Sequence, residues 1–156
     1  MTAVERYIEA FEGLRPDTLD ALLVLFDDQA RFVDPFNDVR GQSAIRAVFS
    51  HMFEQCERPR FRVNEQLGDA GVWYLHWTFT FGRTGHERRI VGVSRVVFGP
   101  DGRVREHIDF WDPARQIYES IPLLGRLLRA LRRRLGSARD EQSTTSPSDT
   151  SFSTEG

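Results

Sequence analysis

Residues 72–81, VWYLHWTFTF, decide the fold, because large side chains alternate along the whole stretch. A period of two residues is typical of a β-strand, whose successive side chains point to opposite faces of a sheet. One set is wholly apolar and comprises Trp73, Leu75, Trp77, Phe79 and Phe81. The intervening set is also fairly apolar, so the stretch predicts a strand in a sheet that is covered on both faces.

Three further strand candidates accompany this stretch, at Phe61–Leu67, Arg88–Phe98 and Val104–Trp111. Short glycine-rich segments separate consecutive candidates, at residues 68–71, 82–85 and 99–102. Because strands joined by short turns pair as hairpins, the sequence predicts an antiparallel meander.

The chain before these strands has the 3.6-residue period of helices. A capping box of Thr2 and Glu5 opens a first helix, Pro16 suits the first turn of a second, and Gly41 opens a third. A short β-rich run, residues 30–33, lies before the third helix. The apolar stripes are Val4, Tyr7, Ile8 and Phe11, then Leu19, Leu22, Leu23 and Phe26, then Ile45, Val48, Phe49, Met52 and Phe53. This order predicts an α+β fold whose helices cover one sheet face and leave the other for a homodimer contact.

The C-terminal part differs in character from this predicted domain, which spans residues 2–112. Residues 113–135 predict a basic amphipathic helical extension with a stripe formed by Leu124, Leu127, Leu128, Leu131 and Leu135. Such a helix lies at a membrane surface through residues 121–135, packs on its own domain, or binds a protein partner. Residues 136–156 contain ten Ser or Thr and no periodicity, which predicts a disordered tail.

Composition argues against several classes of protein. No apolar run reaches the roughly 18–20 residues of a membrane span, and the N-terminus lacks a signal-peptide pattern. Cys56 is the only cysteine, so no intrachain disulfide forms and a cytoplasmic location is expected. Residues 1–112 hold 14 Arg against 18 acidic residues, which is not typical of a nucleic-acid binder. His51, His76 and His86 are scattered, so neither a metal site nor a cofactor is expected.

Three short motifs resemble bacterial ketosteroid isomerases, which belong with SnoaL-like proteins to the nuclear transport factor 2-like superfamily. They are RYIE at residues 6–9, FVDPF at 32–36 and GQSAI at 41–45. The segment from Val97 to Trp111 is also similar to the last hairpin of these enzymes. The resemblance implies a cone-shaped curved sheet, closed at one end by helices, around a largely apolar pocket for a small hydrophobic molecule.

The resemblance also implies roles for individual residues. Asp34 falls where these isomerases have their proton-shuttling base, and Tyr7 falls where they have the phenol that donates to the developing oxyanion. Their third functional group, an aspartic acid kept neutral by an apolar site, is replaced by Ser94. Two tyrosines that support the donors are replaced by Phe26 and Phe49.

This reduced site still suits acid–base chemistry. A partly desolvated carboxylate is a better base, and a phenol aimed at a carbonyl oxygen stabilises an enolate. Losing one of two oxyanion donors costs about 10²–10³ in rate, and the Ser94 hydroxyl is a weaker acid than a carboxyl. The site therefore predicts isomerase- or lyase-type chemistry, such as enolisation, dehydration or cyclisation, on a substrate other than the steroid.

The last strand candidate adds polar groups that the isomerase pattern lacks. His107, Asp109 and Trp111 follow one another at two-residue spacing, which predicts that they share one face of the strand. The resemblance around Phe110 and Trp111 implies that this face is turned to the pocket. Dehydratases and hydrolases of the superfamily use His–Asp groupings in this cavity, and a histidine acts as an acid or base near neutral pH. Arg105, one step earlier, is predicted to hold a ligand carboxylate or to pair with Asp109. The predicted substrate contacts are Ser94, Trp77, Trp111, Phe49 and Arg105.

Each of these residues also has a structural interpretation. Asp34 is a suitable turn residue before a proline, and Tyr7 is a suitable core aromatic on an amphipathic helix. Ser94 is a common small residue in a strand, and His107 with Asp109 is compatible with an exposed or dimer-facing pair. The matching alternative function is a non-catalytic ligand-binding or membrane-associated adaptor module of the same fold.

Overall fold

A computed structural model describes residues 1–118, in which Met1–Gln116 form one compact unit. Its elements are α1 (Ala3–Glu12), α2 (Leu19–Leu23), β1 (Phe26–Val33), β2 (Asp38–Arg40), α3 (Gln42–Gln55), β3 (Arg60–Asp69), β4 (Val72–Phe81), β5 (Arg88–Phe98), β6 (Val104–Phe110) and α4 (Pro113–Gln116). The predicted α+β fold with three N-terminal helices is confirmed. Most of the predicted amphipathic extension and all of the predicted tail lie outside the described residues. Within residues 1–118, no helix has the length and apolar character needed to cross a membrane.

The six strands form one curved, open sheet in the order β2-β1-β6-β5-β4-β3. Strands β3 to β6 form the antiparallel meander predicted from the glycine-rich turns. The sequence predicted neither β2 nor the parallel pairing of β1 with β6, in which Phe32 lies beside His107. This pairing brings the first long strand next to the last, so that both contribute to one site.

Helices α1 and α3 pack on one face of the sheet, here called the inner face. The start of α1 is the predicted capping box: the Thr2 hydroxyl accepts from the Glu5 N–H at 3.3 Å, and the Glu5 carboxylate accepts from the Thr2 N–H at 2.7 Å. These hydrogen bonds lower the pKa of Glu5. With the helix start fixed, its apolar stripe turns Tyr7 and Phe11 onto the sheet, where Tyr7 is fully buried.

The second helix is shorter than the sequence predicted. It begins at Leu19 rather than near Pro16, because the preceding residues form a turn. In that turn the Thr18 hydroxyl accepts from the Arg15 N–H at 2.8 Å. This local hydrogen bond gives the backbone an alternative to the first helical turn.

The first strand begins earlier than predicted. Phe26 does not lie on the stripe of α2 but opens β1, where the Val104 N–H donates to the Leu25 carbonyl at 2.8 Å. The pairing with β6 is then irregular until Arg31. Because the irregular stretch 27–29 is polar, the alternation that identifies a strand appears only from Ala30 onward.

A β-bulge at Arg105 sets the orientation of β6. Val104 and Glu106 pair with consecutive residues of β5, so Arg105, which lies between them, has no partner in the ladder. A one-residue change of register reverses the face to which every later side chain points. As a result, His107 and Asp109 point to the inner face.

The bulge also contradicts the predicted position of Arg105. Its side chain is exposed and lies beside Gly99 in the β5–β6 turn, rather than on the face of Asp109. No ion pair joins Arg105 to Asp109 in the described part of the chain. The two-residue spacing was misleading because it assumed a regular strand.

The outer face of the sheet is partly apolar, as the alternation predicted. Its exposed large side chains are Leu67, Tyr74, Val91 and Phe110. Coverage of this face by a second copy of the chain stays a prediction.

We expect insertion of one alanine between Glu106 and His107 to destabilise the fold by more than about 3 kcal/mol, because it shifts the register by one residue and would turn His107 and Asp109 outward and Ile108 into the core. The control Arg105→Ala keeps the bulge and removes only an exposed side chain, so it should change stability by less than about 0.5 kcal/mol. Urea unfolding measures both free energies. Equal stability of the two variants would contradict this role of the bulge.

Candidate functional site

Five side chains from four elements form a continuous chain of hydrogen bonds on the inner face, here called the buried network. The Tyr7 hydroxyl of α1 lies 2.8 Å from His107 Nδ1, and His107 Nε2 lies 2.7 Å from Asp109 Oδ1 on the same strand, β6. From β5, Ser94 Oγ lies 2.5 Å from Asp109 Oδ1. From β4, the Trp77 indole N–H donates to Ser94 Oγ at 2.7 Å.

The direction of each hydrogen bond follows from what the groups can do. An indole N–H only donates, so Ser94 accepts from Trp77 and its own hydrogen points to Asp109. An ionised carboxylate only accepts, so His107 carries its proton on Nε2. His107 Nδ1 is then an acceptor, and the Tyr7 hydroxyl donates to it. Each polar atom that links two members of the network thus has a hydrogen-bond partner of the opposite kind, a donor for an acceptor.

The His107 ring is held between two aromatic rings. The Phe32 ring stacks on it at a centroid distance of 4.8 Å and an interplanar angle of 20°, and the Phe11 ring at 5.5 Å and 17°. Phe49 packs against both of these phenylalanines. The rings exclude water and fix the plane of the imidazole, which directs both of its nitrogens along the network.

Tyr7 is the deep end of the buried network. Burial, followed by the negative charge of Asp109, holds the pKa of Tyr7 well above its ordinary value. The phenol therefore stays a neutral donor even in alkaline solution. Its hydroxyl reaches His107 rather than open space, so in this arrangement it orients His107.

Asp109 lies in the middle of the buried network and is its member with a partly exposed side chain. The Asp109 side chain is 15% exposed to solvent, whereas the His107 side chain is 4% exposed. Oxygen Oδ1 accepts from both Ser94 and His107, whereas no residue within 1–118 donates to Oδ2. One oxygen is fixed by two donors, and the other has no donor among residues 1–118.

Asp34 lies outside the buried network and closes the β1–β2 turn. Its Oδ1 accepts from the Phe36 N–H at 2.7 Å and the Asn37 N–H at 2.8 Å, and the Asn37 amide donates to both of its oxygens. These contacts are typical of a turn residue, which is the structural role that the sequence allowed for Asp34 as an alternative to a base. In the sheet, Asp34 follows directly after the pair of Val33 with Ile108, which places it beside Asp109.

Trp111 follows the end of β6 and is partly buried. Its ring contacts the exposed Phe36 ring at a centroid distance of 5.6 Å and an angle of 73°. It thus lies with the Asp34 turn, at the end of the sheet where β6 ends. Trp77 and Ser94 belong to the buried network itself, and Phe49 packs against the two phenylalanine rings that enclose His107.

A separate open groove of about 480 Å³ lies along α1 and is lined by Glu5, Ile8, Glu9, Glu12, Gly13 and Gln66. None of these residues belongs to the buried network. Among residues 1–118, no three His, Cys, Asp or Glu side chains converge in a way that would hold a metal ion.

Sequence reasoning did not identify Phe11 and Phe32 as the rings around His107, or the link from Trp77 through Ser94 to Asp109. The missing signal is the pairing of β5 with β6, in which Ser94 lies directly opposite Asp109. The carboxyl group that the isomerase pattern has at position 94 is absent from β5. A carboxyl group is instead contributed by the neighbouring strand at the opposite position.

We expect Tyr7→Phe to destabilise the protein by about 1–3 kcal/mol, because His107 Nδ1 loses its donor in a buried site. Since the pKa of Tyr7 is raised by folding, its stabilising effect is present below pH about 10 and declines above it, where only the unfolded chain ionises. Thermal unfolding of wild type and variant across this range measures the difference. The exposed Tyr74→Phe is the control, and equal effects of the two substitutions would contradict the assignment.

Solved structures share this fold. One is an NTF2-like protein of unknown function from Burkholderia pseudomallei K96243, at 17% identity and a TM-score of 0.64, covering 74% of this chain and 94% of that one. A proposed isomerase of the SnoaL-like family from Agrobacterium tumefaciens str. C58 has 20% identity and a TM-score of 0.60, covering 70% and 94%. A proposed SnoaL-like polyketide cyclase from Shewanella denitrificans OS-217 has 16% identity and a TM-score of 0.63, covering 77% and 94%. At these identities the likeness establishes the fold alone.

No curated protein sequence matches the chain. A family model does match: residues 4–107 fit the SnoaL-like domain. The match spans most of the chain, includes Tyr7, Asp34, Ser94 and His107, and agrees with the helices and the curved sheet described above. The chain belongs to the SnoaL-like domain family.

Proposed function

We propose that this domain is an acid–base enzyme that moves a proton next to a carbonyl group of a small apolar molecule, as isomerases and cyclases do. The observation that carries the proposal is the asymmetry of Asp109. Its Oδ1 is fixed by Ser94 and His107, and its Oδ2 receives no hydrogen bond from residues 1–118. A carboxylate held in this way presents one basic oxygen in a defined direction.

The hydrogen bonds to Oδ1 suit Asp109 to the task of a base. Both donors fix the position of Oδ1 and therefore the direction in which Oδ2 points. The aromatic rings around His107 keep this donor in place, so little reorganisation is needed when the proton moves. A positioned base of this kind contributes about 10²–10⁴ in rate.

In the proposed reaction a proton moves from a carbon of the substrate to Asp109 and then back to the substrate. Asp109 Oδ2 takes a hydrogen as a proton from the carbon next to the carbonyl group, and the electron pair of the C–H bond becomes part of an enolate. If Asp109 returns the proton to another carbon, the product is an isomer. If the enolate carbon attacks the carbon of a second carbonyl group in the same molecule, a carbon–carbon bond forms as the π bond of that carbonyl breaks, Asp109 gives its proton to the resulting alkoxide oxygen, and the product is a ring.

Two carboxylates compete for the role of base, and their surroundings differ. Asp34 is the base that the resemblance implies, but both of its oxygens accept hydrogen bonds within the β1–β2 turn. Asp109 has one oxygen, Oδ2, that accepts no hydrogen bond from residues 1–118, and its other oxygen is bonded to a histidine. We therefore assign the proton transfer to Asp109.

Two similar proteins also support an acid–base function, since one is a proposed isomerase and the other a proposed polyketide cyclase. Isomerases that shift a double bond next to a carbonyl group, and cyclases that close a ring through an enolate, both begin with a proton taken from carbon by a positioned base.

We expect wild-type protein to exchange the α-hydrogens of 2-tetralone, an apolar ketone, for deuterium in D2O, and Asp109→Asn to lower this rate by about 10²-fold or more. Proton NMR follows the exchange. The isosteric Asp34→Asn is the matched control and should keep most of the rate.

Each outcome of this experiment decides between assignments. Loss of exchange in Asp34→Asn alone would identify Asp34 as the base and contradict the role of Asp109. Binding of 2-tetralone without exchange by the wild type would favour the alternative, a ligand-binding module. The homodimer, and membrane contact through residues 121–135, stay separate proposals.

A further inference from the structure

We propose that Trp77 and Ser94 are positioning residues that hold the base Asp109 in its working orientation. The consequence for catalysis rests on the proposed function, but the geometry of the link does not. None of the three residues lies near another in the sequence, and the pairing of three strands brings them together.

Ser94 is the direct support of Asp109. The two residues lie opposite each other in the β5–β6 ladder, and Ser94 Oγ is 2.5 Å from Asp109 Oδ1. Ser94 is 1% exposed, so water does not compete for its hydroxyl group. A serine hydroxyl alone can rotate between several directions and would not hold a carboxylate.

Trp77 removes this freedom. Its indole N–H donates to Ser94 Oγ at 2.7 Å and can only donate. With a lone pair of the oxygen occupied from that side, the Ser94 hydrogen is directed to Asp109. Trp77 is itself 7% exposed, so its ring is fixed by packing.

A glycine makes this arrangement possible. Gly92 lies opposite Trp77 in the β4–β5 ladder, and a Cβ atom at this position would lie 2.5 and 2.6 Å from Cζ2 and Cη2 of the indole. Because residue 92 has no side chain, the ring lies across the strand and reaches Ser94, two residues further along.

The charged and titratable groups around Asp109 show what the support achieves. His107 donates from the same strand, and Asp34 follows directly after Val33, which pairs with Ile108 beside Asp109 in the sequence. Ser94 and His107 hold Oδ1 together, which leaves Oδ2 as the oxygen that is presented outward. Loss of the Trp77–Ser94 link would let the carboxylate turn.

The test compares Trp77→Phe, which keeps an aromatic ring and removes the N–H, with Trp73→Phe on the same strand as the matched control. We expect Trp77→Phe to lower kcat for deuterium exchange of 2-tetralone about 10-fold, the equivalent of one hydrogen bond, without a change of KM. Trp73→Phe should keep the wild-type rate. Full kcat in a folded Trp77→Phe variant would overturn the proposal.

A second measurement does not depend on activity. In 1H–15N spectra, Asp109→Asn should shift the indole N–H resonance of Trp77 but not that of Trp73, because only Trp77 is linked to Asp109 through Ser94. Ser94→Ala should speed solvent exchange of the Trp77 N–H, and it provides the test if Trp77→Phe does not fold. An indole resonance of Trp77 that is unaffected by both substitutions would overturn the link. Absence of 2-tetralone exchange in the wild type, with these shifts present, would overturn the proposed function only.

Discussion

The register shift at Arg105 is the constraint on which the candidate site depends. If Arg105 paired in a regular ladder, β6 would present Ile108 to the inner face and would turn His107 and Asp109 to the outer one. With the bulge, Asp109 lies opposite Ser94, and His107 lies between the rings of Phe11 and Phe32. A single unpaired residue, whose own side chain is exposed, thereby places two polar groups in an aromatic core.

Such a placement is tolerated only because the polar groups are satisfied. A buried histidine and a partly buried carboxylate without partners would each oppose folding, whereas a complete network is rigid and specific. Tyr7 completes the network at one end and Trp77 at the other. Within residues 1–118, Asp109 Oδ2 accepts no hydrogen bond. It is the atom to which we assign the proposed proton transfer.

Local patterns predicted the elements, but not how distant elements are aligned. The capping box and the helical period placed Tyr7 on a buried face, and the glycine-rich turns predicted the meander. Alternation along β6 could not reveal the bulge, because a regular strand and a bulged one differ by register rather than by composition. For the same reason Arg105 was assigned to the wrong face, and the contact between Ser94 and Asp109 was not foreseen. The resemblance drew attention to Tyr7 and position 94, which lie in the buried network, whereas the carboxyl group of this network comes from the neighbouring strand.

The proton on His107 offers the most direct measurement of this arrangement. Side-chain 15N NMR of histidine-labelled protein at neutral pH distinguishes the two ring nitrogens. We expect the proton on Nε2, bonded to Asp109, and an unprotonated Nδ1 whose resonance moves in Tyr7→Phe. A proton on Nδ1, or a ring that exchanges with water as freely as that of the exposed His51, would contradict the buried network.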